Sequence, residues 1–226
     1  MATFLPHIIF NQTLIISSSR TIFWGQQKAL IISDLHLGKS GHFRKAGIAI
    51  PQTVLQEDLF RLLAQIQFFK PTQLIIVGDL FHSHANKEHN LFLKWRNDIP
   101  NVEMQLVMGN HDILHSKWYD EAGIDTIKNK LDINCFSFVH DINDAKNENC
   151  DEVYVFSGHI HPGISIHGIS KQSLSFPCFY FAQQYAVLPA FSKFTGYHPI
   201  KPKRGENVYA IIPAQKTEQG GLLKVY

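Results

Sequence analysis

The sequence predicts an α/β protein built as a β-sandwich flanked by helices. Its first half alternates apolar, β-branched runs with amphipathic segments of helical period. Strands dominate its second half, which a purely doubly wound sheet would not accommodate. With 226 residues, 45% of them hydrophobic, the chain can bury a substantial core. No Gly/Ser/Pro-rich linker divides it, so residues 1–226 read as one domain.

Two short apolar runs, His7 to Phe10 and Leu14 to Ile16, precede Thr21 to Trp24, and together they read as antiparallel strands. Ala29 to Ser33 is continuously apolar up to its last residue, as suits a strand covered on both faces. The surest helix is Thr53 to Phe69. It carries Leu55, Leu59, Leu62, Leu63 and Ile66 at helical spacing behind Pro51 and a Thr53…Gln56 capping pattern. Gln73 to Val77 is a second buried strand, and a helix follows around Lys87 to Asn97. Val102 to Met108 forms the next strand, trailed by a helical segment from Ser116 to Glu121. Ile133 to Val139, Glu152 to Phe156, Leu174 to Leu188 and Val208 to Pro213 continue as strands.

Bulk properties exclude several classes. A formal charge of +2 is too small to imply a nucleic-acid surface by itself, so any such surface is local, as in Lys201-Pro202-Lys203-Arg204 or Lys39 through Lys45. The former cluster reads more simply as an exposed loop. Cys135, Cys150 and Cys178 make an odd count without C-x-x-C spacing, which fits a reducing compartment and no thiolate metal site. The amino terminus lacks the basic region of a secretory signal. No apolar stretch approaches the roughly 20 residues that span a bilayer. A cytoplasmic protein without membrane attachment is the expectation.

The chemistry is carried by five polar segments, each following an apolar run: Asp34-Leu35-His36, Gly78-Asp79, Gly109-Asn110-His111-Asp112, His140-Asp141 and Gly158-His159-Ile160-His161. Ligands bind at such strand ends in open α/β sheets. In an extended chain residues i and i+2 share a face, so Asp34 and His36 make one chelating arm, and His159 and His161 another. Asp79 can bridge two ions, and Asn110 and His140 add neutral ligands. Oxygen and nitrogen donors without sulfur suit Mn, Fe, Co, Ni or Zn. Two dications bring about +4, Asp34 and Asp79 return about −2, and a hydroxide leaves roughly +1 for an anionic substrate, with phosphate esters the natural match. Coordination lowers the pKa of water towards neutrality and supplies an in-line nucleophile. His111 cannot easily face the same ion as Asn110, so it is assigned to the leaving oxygen, with Asp112 orienting its ring.

In this order the segments resemble the calcineurin-like metallophosphoesterase superfamily. The resemblance implies a four-layer sandwich, two packed mixed β-sheets flanked by α-helices, and two divalent ions, manganese first and Fe, Zn, Co or Ni as alternatives. Carried over by motif, one ion takes Asp34, His36, Asp79 and His161, and the other Asp79, Asn110, His140 and His159. A narrower likeness lies in Asp34-Leu-His-Leu-Gly-Lys39, Phe43-Arg-Lys-Ala-Gly-Ile-Ala-Ile-Pro51 and Leu188-Pro-Ala-Phe-Ser-Lys-Phe-Thr-Gly196. These resemble the ligase-associated DNA-damage-response phosphodiesterases of the PdeM family. That likeness implies a phosphodiesterase or endonuclease acting on nucleic acid in DNA repair, beside a DNA ligase, a helicase and a second nuclease. The chain departs at Ser192 and Tyr197, where glycine is expected in that family, and both positions bear on the rim of the pocket.

Lys39, His42, Arg44 and His82 are the candidates for contact with substrate phosphates, against the plainer reading of solvated loops. Lys193 sits in an apolar run, where it snorkels or reaches a phosphate. Phe176, Phe179, Tyr180 and Phe181 read as core strand residues rather than a stacking platform. A small nucleotide substrate is the enzymatic alternative. A non-catalytic scaffold is the other, and the filled set of ligand positions argues against it.

Overall fold

The computed structural model describes residues 2–38, 53–81, 87–145, 152–168, 172–213 and 220–226. Two mixed sheets pack face to face. In the first, β1 (Phe4–Ile9), β2 (Gln12–Ser17), β3 (Thr21–Trp24) and β4 (Ala29–Ile32) are joined antiparallel, and β5 (Gln73–Val77), β6 (Glu103–Val107) and β7 (Ile124–Ile127) extend it in parallel. The helices α1 (Thr53–Phe69), α2 (Lys87–Asn97) and α3 (Ser116–Glu121) fall in the crossovers between the parallel strands, as right-handed βαβ topology requires.

The second sheet holds β8 (Lys130–Ile133), β9 (Phe136–Val139), β10 (Tyr154–Ser157), β11 (Pro162–His167), β12 (Ser173–Phe181), β13 (Tyr185–Val187), β14 (His198–Pro199), β15 (Asn207–Ile212) and β16 (Gly221–Lys224). Within it β9, β10 and β13 run parallel, while β8, β12, β15 and β16 are paired antiparallel. Ile133 to Val139, expected as one strand, instead holds the last residue of β8, a turn and β9 of a hairpin. Asn134 takes a left-handed φ of 54° and turns the chain there. The strands β7 and β11 are further departures, since their polar residues conceal the pattern.

Strand alternation explains the continuous apolar runs. Leu30, Ile32, Leu74, Ile76, Met104 and Leu106 face Leu59, Leu62, Phe92 and Trp95 of the helices. Ile31, Ile75, Val77 and Val107 face the other way, against Phe136, Phe138, Phe156, Phe179 and Phe181 of the second sheet. Each buried strand therefore supplies both cores, which pins its register. The outer face of the second sheet is closed by Ile164, Cys178, Tyr180, Val208 and Ala210.

His7 joins the two sheets at their far edge. Its ring lies 4.2 Å from that of Phe181, and its Nδ1 is 2.9 Å from the Tyr209 hydroxyl. Burial, with Lys224 nearby, lowers its pKa from 6.5 to about 4. A depressed histidine leaves the folded state short of a proton that the unfolded chain takes up. Wild-type stability should therefore fall, relative to His7→Gln, as pH drops from about 6.5 to about 4. Paired urea titrations across that window check this, and parallel acid limbs would disprove it.

Candidate metal centre

Parallel strands end together, and this places the polar segments. Ser33-Asp34, Gly78-Asp79 and Gly109-Asn110 follow β4, β5 and β6 at one edge of the first sheet. His140 and Gly158-His159 follow β9 and β10 at the facing edge of the second. Two glycines let these segments close. A Cβ on Gly78, whose φ is +79°, would overlap the His140 ring, and one on Gly158 would overlap the Ser33 hydroxyl and the Asp34 carboxylate.

Two groups of ligand atoms result. Asp34, His36 and His161 form the first and Asp79, His140 and His159 the second, with the ligand atoms of each within 4.8 Å of one another. In the first, His161 Nε2 lies 3.2 Å from Asp34 Oδ1 and 3.2 Å from His36 Nε2, and His36 Nε2 is 3.8 Å from Asp34 Oδ1. In the second, His140 Nε2 lies 3.4 Å from Asp79 Oδ2, 3.1 Å from His159 Nδ1 and 3.2 Å from Asn110 Oδ1. Donors bound about 2.1 Å from one ion stand about 3.0–3.4 Å apart, a range that holds all of these spacings except the 3.8 Å between His36 and Asp34, so the spacing in each group is close to that around a bound divalent cation. Asp34 Oδ1 adds a sharper sign. It is buried and, among the described residues, accepts no hydrogen bond and is approached by the two imidazoles, an arrangement costly without a cation.

Backbone groups orient the ligands. His140 Nδ1–H donates to the Val77 carbonyl at 3.3 Å and His161 Nδ1–H to the Gly196 carbonyl at 3.2 Å, so each Nε2 keeps its lone pair for the centre. Asp34 Oδ2 accepts from the Ser33 hydroxyl and from the His159 amide at 3.1 Å. Asp79 Oδ1 accepts the His111 amide at 2.9 Å. Burial alone would raise the Asp79 pKa, but the hydrogen bond and charge of His140 with the His111 amide hold it at about 2. Burial likewise works against the His140 imidazolium; without a cation Asp79 and Asp34 outweigh it and raise its pKa to about 9, so a cation binding at Nε2 would displace a proton. The influence of Asp34 on His140, and of His36 on Asp79, makes the two groups one electrostatic unit.

The convergence does not come from an extended chain. Asp34, His36, Asp79, His159 and His161 all adopt left-handed φ, from 48° to 66°. Such residues cost about 1–2 kcal/mol each, and strain of this kind concentrates at functional sites. The single arm that strand alternation expects of His159 and His161 does not form; His159 joins the second group and His161 the first, the division that the family resemblance implies.

His111 stands beside the first group, its ring centre 5.7 Å from that of His36. The role expected of Asp112 is corrected as well. Its oxygens accept the Phe81 amide at 3.1 Å and the Gly109 amide at 2.9 Å, rather than holding the His111 ring. Burial pushes its pKa up to about 7 against those two hydrogen bonds. Asp112 thus braces the loops after β5 and β6. Lys39, His42, Arg44 and His82 lie outside the described residues.

The sequence reading missed Ser33, which its place just before Asp34 could have flagged. It also missed the Val77 and Gly196 carbonyls, which no side chain signals. Arg20 was missed too. It donates from Nη1 to the Ala190 carbonyl at 2.9 Å and the Ser192 carbonyl at 2.5 Å, across some 170 residues, fixing the loop that carries Gly196.

Among solved structures, the Pseudomonas putida nuclease MPE superposes with a TM-score of 0.77 at 26% identity, covering 92% of this chain and 96% of that one. The Escherichia coli phosphoesterase YfcE aligns over 88% of this chain and 99% of its own, at 13% identity and a TM-score of 0.43. Comparison with curated proteins finds no match. The calcineurin-like phosphoesterase family model matches residues 28–180, from the start of β4 through all seven ligand positions. With more than half of its length matched, the chain belongs to the calcineurin-like phosphoesterase family, hydrolases of phosphoesters that work with metal ions.

Proposed function

We propose that the protein is a phosphodiesterase that uses two divalent ions, manganese first among them, to cleave nucleic acid in DNA repair. The observation that carries the reading is the pair of adjoining ligand groups, each spaced for one cation, with His111 at their margin. Asp34, His36 and His161 would hold one ion, and Asp79, Asn110, His140 and His159 the other. Such ions supply positive charge and Lewis acidity at the phosphoryl group. The chain's own groups do the rest. The Val77 and Gly196 carbonyls fix the tautomers of His140 and His161, and Asp112 holds two loops together. His111 stabilises or protonates the leaving oxygen.

Two supports favour nucleic acid over a small nucleotide. The likeness to a nuclease extends over nearly the full length of both chains. The segments 34–39, 43–51 and 188–196 resemble the ligase-associated repair enzymes, and the place beside a ligase, a helicase and a second nuclease rests on that resemblance. The test is a manganese-supplemented panel of a phosphodiester, a phosphomonoester, 2′,3′-cyclic nucleotides and nicked or gapped DNA. Diester and DNA cleavage is expected. Preference for the monoester would defeat the assignment, and preference for the cyclic nucleotides would move the substrate to small molecules.

A further inference from the structure

One cavity lies beside the metal centre and a second adjoins it. The smaller, about 90 Å³, is bounded by the metal-facing His161 together with Arg20, Lys193, Gly196 and Tyr197. The larger, about 700 Å³, shares Arg20, Pro177 and Lys193 with it and adds Arg61 and Phe176. The two adjoin at Arg20, Pro177 and Lys193, and the smaller one reaches a metal ligand, His161. Their charge is one-sided: Arg20, Arg61 and Lys193 line them, and among the described lining residues there is no carboxylate. Asp58 interacts electrostatically with all three cations, and its Oδ1 is held at 2.9 Å by Arg61 Nη2.

The lining is also rigid and partly aromatic. Arg61 donates to the Phe191 carbonyl and lies 4.2 Å over the Phe191 ring, while Arg20 clamps the carbonyls on either side of Phe191. The Tyr197 ring packs on Gly163, where a Cβ would overlap it, and its hydroxyl donates to the Ser175 carbonyl at 3.0 Å. Tyr197 and Phe176 give flat walls, and Phe194 stands exposed next to Lys193. A cationic track interleaved with aromatic faces is the arrangement that binds single-stranded nucleic acid without reading its sequence.

We infer that the two adjoining cavities seat the single strand flanking the bond to be cleaved, with its phosphates on Arg20 and Lys193 and its bases against Tyr197 and Phe176. This rests on the nucleic-acid reading above and extends it, since it names what selects a polymer over a small diester. Tyr197, one of two positions that depart from the repair-enzyme pattern, then acts in substrate selection at the entrance from His161.

Lys193 is exposed, so it is the position to test. Lys193→Ala and Lys193→Glu are compared with wild type on bis(p-nitrophenyl) phosphate and on a single-stranded DNA of about twelve nucleotides. The ratio of kcat/KM for DNA to that for the small diester should fall about tenfold in Lys193→Ala and further in Lys193→Glu. The salt dependence of log KM for DNA should weaken by about 0.7 for one lost phosphate contact. A ratio unmoved in both variants, or a small-diester rate that falls in step with DNA, would overturn the inference. Wild-type protein that cleaves the small diester but no DNA would refute the nucleic-acid reading itself, and the inference with it. That outcome is seen before any variant is made.

Discussion

Asp79→Asn should reduce kcat/KM for any phosphodiester by at least about a thousand-fold, or about 4 kcal/mol of transition-state stabilisation. Asp79 is buried, stands with His140 and His159, and is held ionised by His140 and the His111 amide. Asparagine keeps the shape and an oxygen for the His111 amide but removes the charge that balances a dication. Metal content should fall while the fold persists, because the amide contact at Oδ1 survives. Near-normal turnover with normal metal content would show that Asp79 is a structural carboxylate.

His111→Ala is expected to separate metal binding from turnover. Its ring lies beside the first ligand group and belongs to neither, so both ions should be retained. A positioned acid contributes about 10²–10⁴-fold, and the loss should approach that on substrates with poor leaving groups, such as DNA. A p-nitrophenolate leaving group departs without a proton, so the same variant should lose much less on a p-nitrophenyl diester. Equal losses on both substrates would point to positioning, and full turnover on DNA would remove the acid role.

The parts of this molecule that the sequence makes legible are those whose physics is local. The helices at 53–69, 87–97 and 116–121 lie where apolar spacing expects them, and Gln73–Val77 is a strand at its expected bounds. The β8–β9 hairpin was hidden because its turn depends on the left-handed conformation of Asn134 inside an otherwise strand-like run. β7 and β11 were hidden because Asp125 and Thr126, or Gly163 and Ser165, break the apolar pattern.

The site shows the same division. Ligand types and their strand-end positions are written next to one another in the chain. How they converge is not, since it rests on five residues with positive φ, which stays uncommon even for Asp and His, the non-glycine types that with Asn adopt it most readily. Asp112 illustrates the limit. Its adjacency to His111 suggested a partnership, whereas the loop turns its carboxylate to the amides of Gly109 and Phe81. Arg20 could not have been found locally, because the carbonyls it clamps lie on the far side of the fold in sequence terms.

The central claim is that two adjoining groups, Asp34/His36/His161 and Asp79/His140/His159, each hold a divalent ion. The most direct measurement is the metal content of protein stripped with chelator, reloaded with Mn²⁺ and desalted, read by inductively coupled plasma mass spectrometry beside His161→Ala and His140→Ala. About two ions per wild-type chain and about one in each variant are expected. Folded wild-type protein that retains no divalent ion, or variants that hold as many as wild type, would contradict the claim.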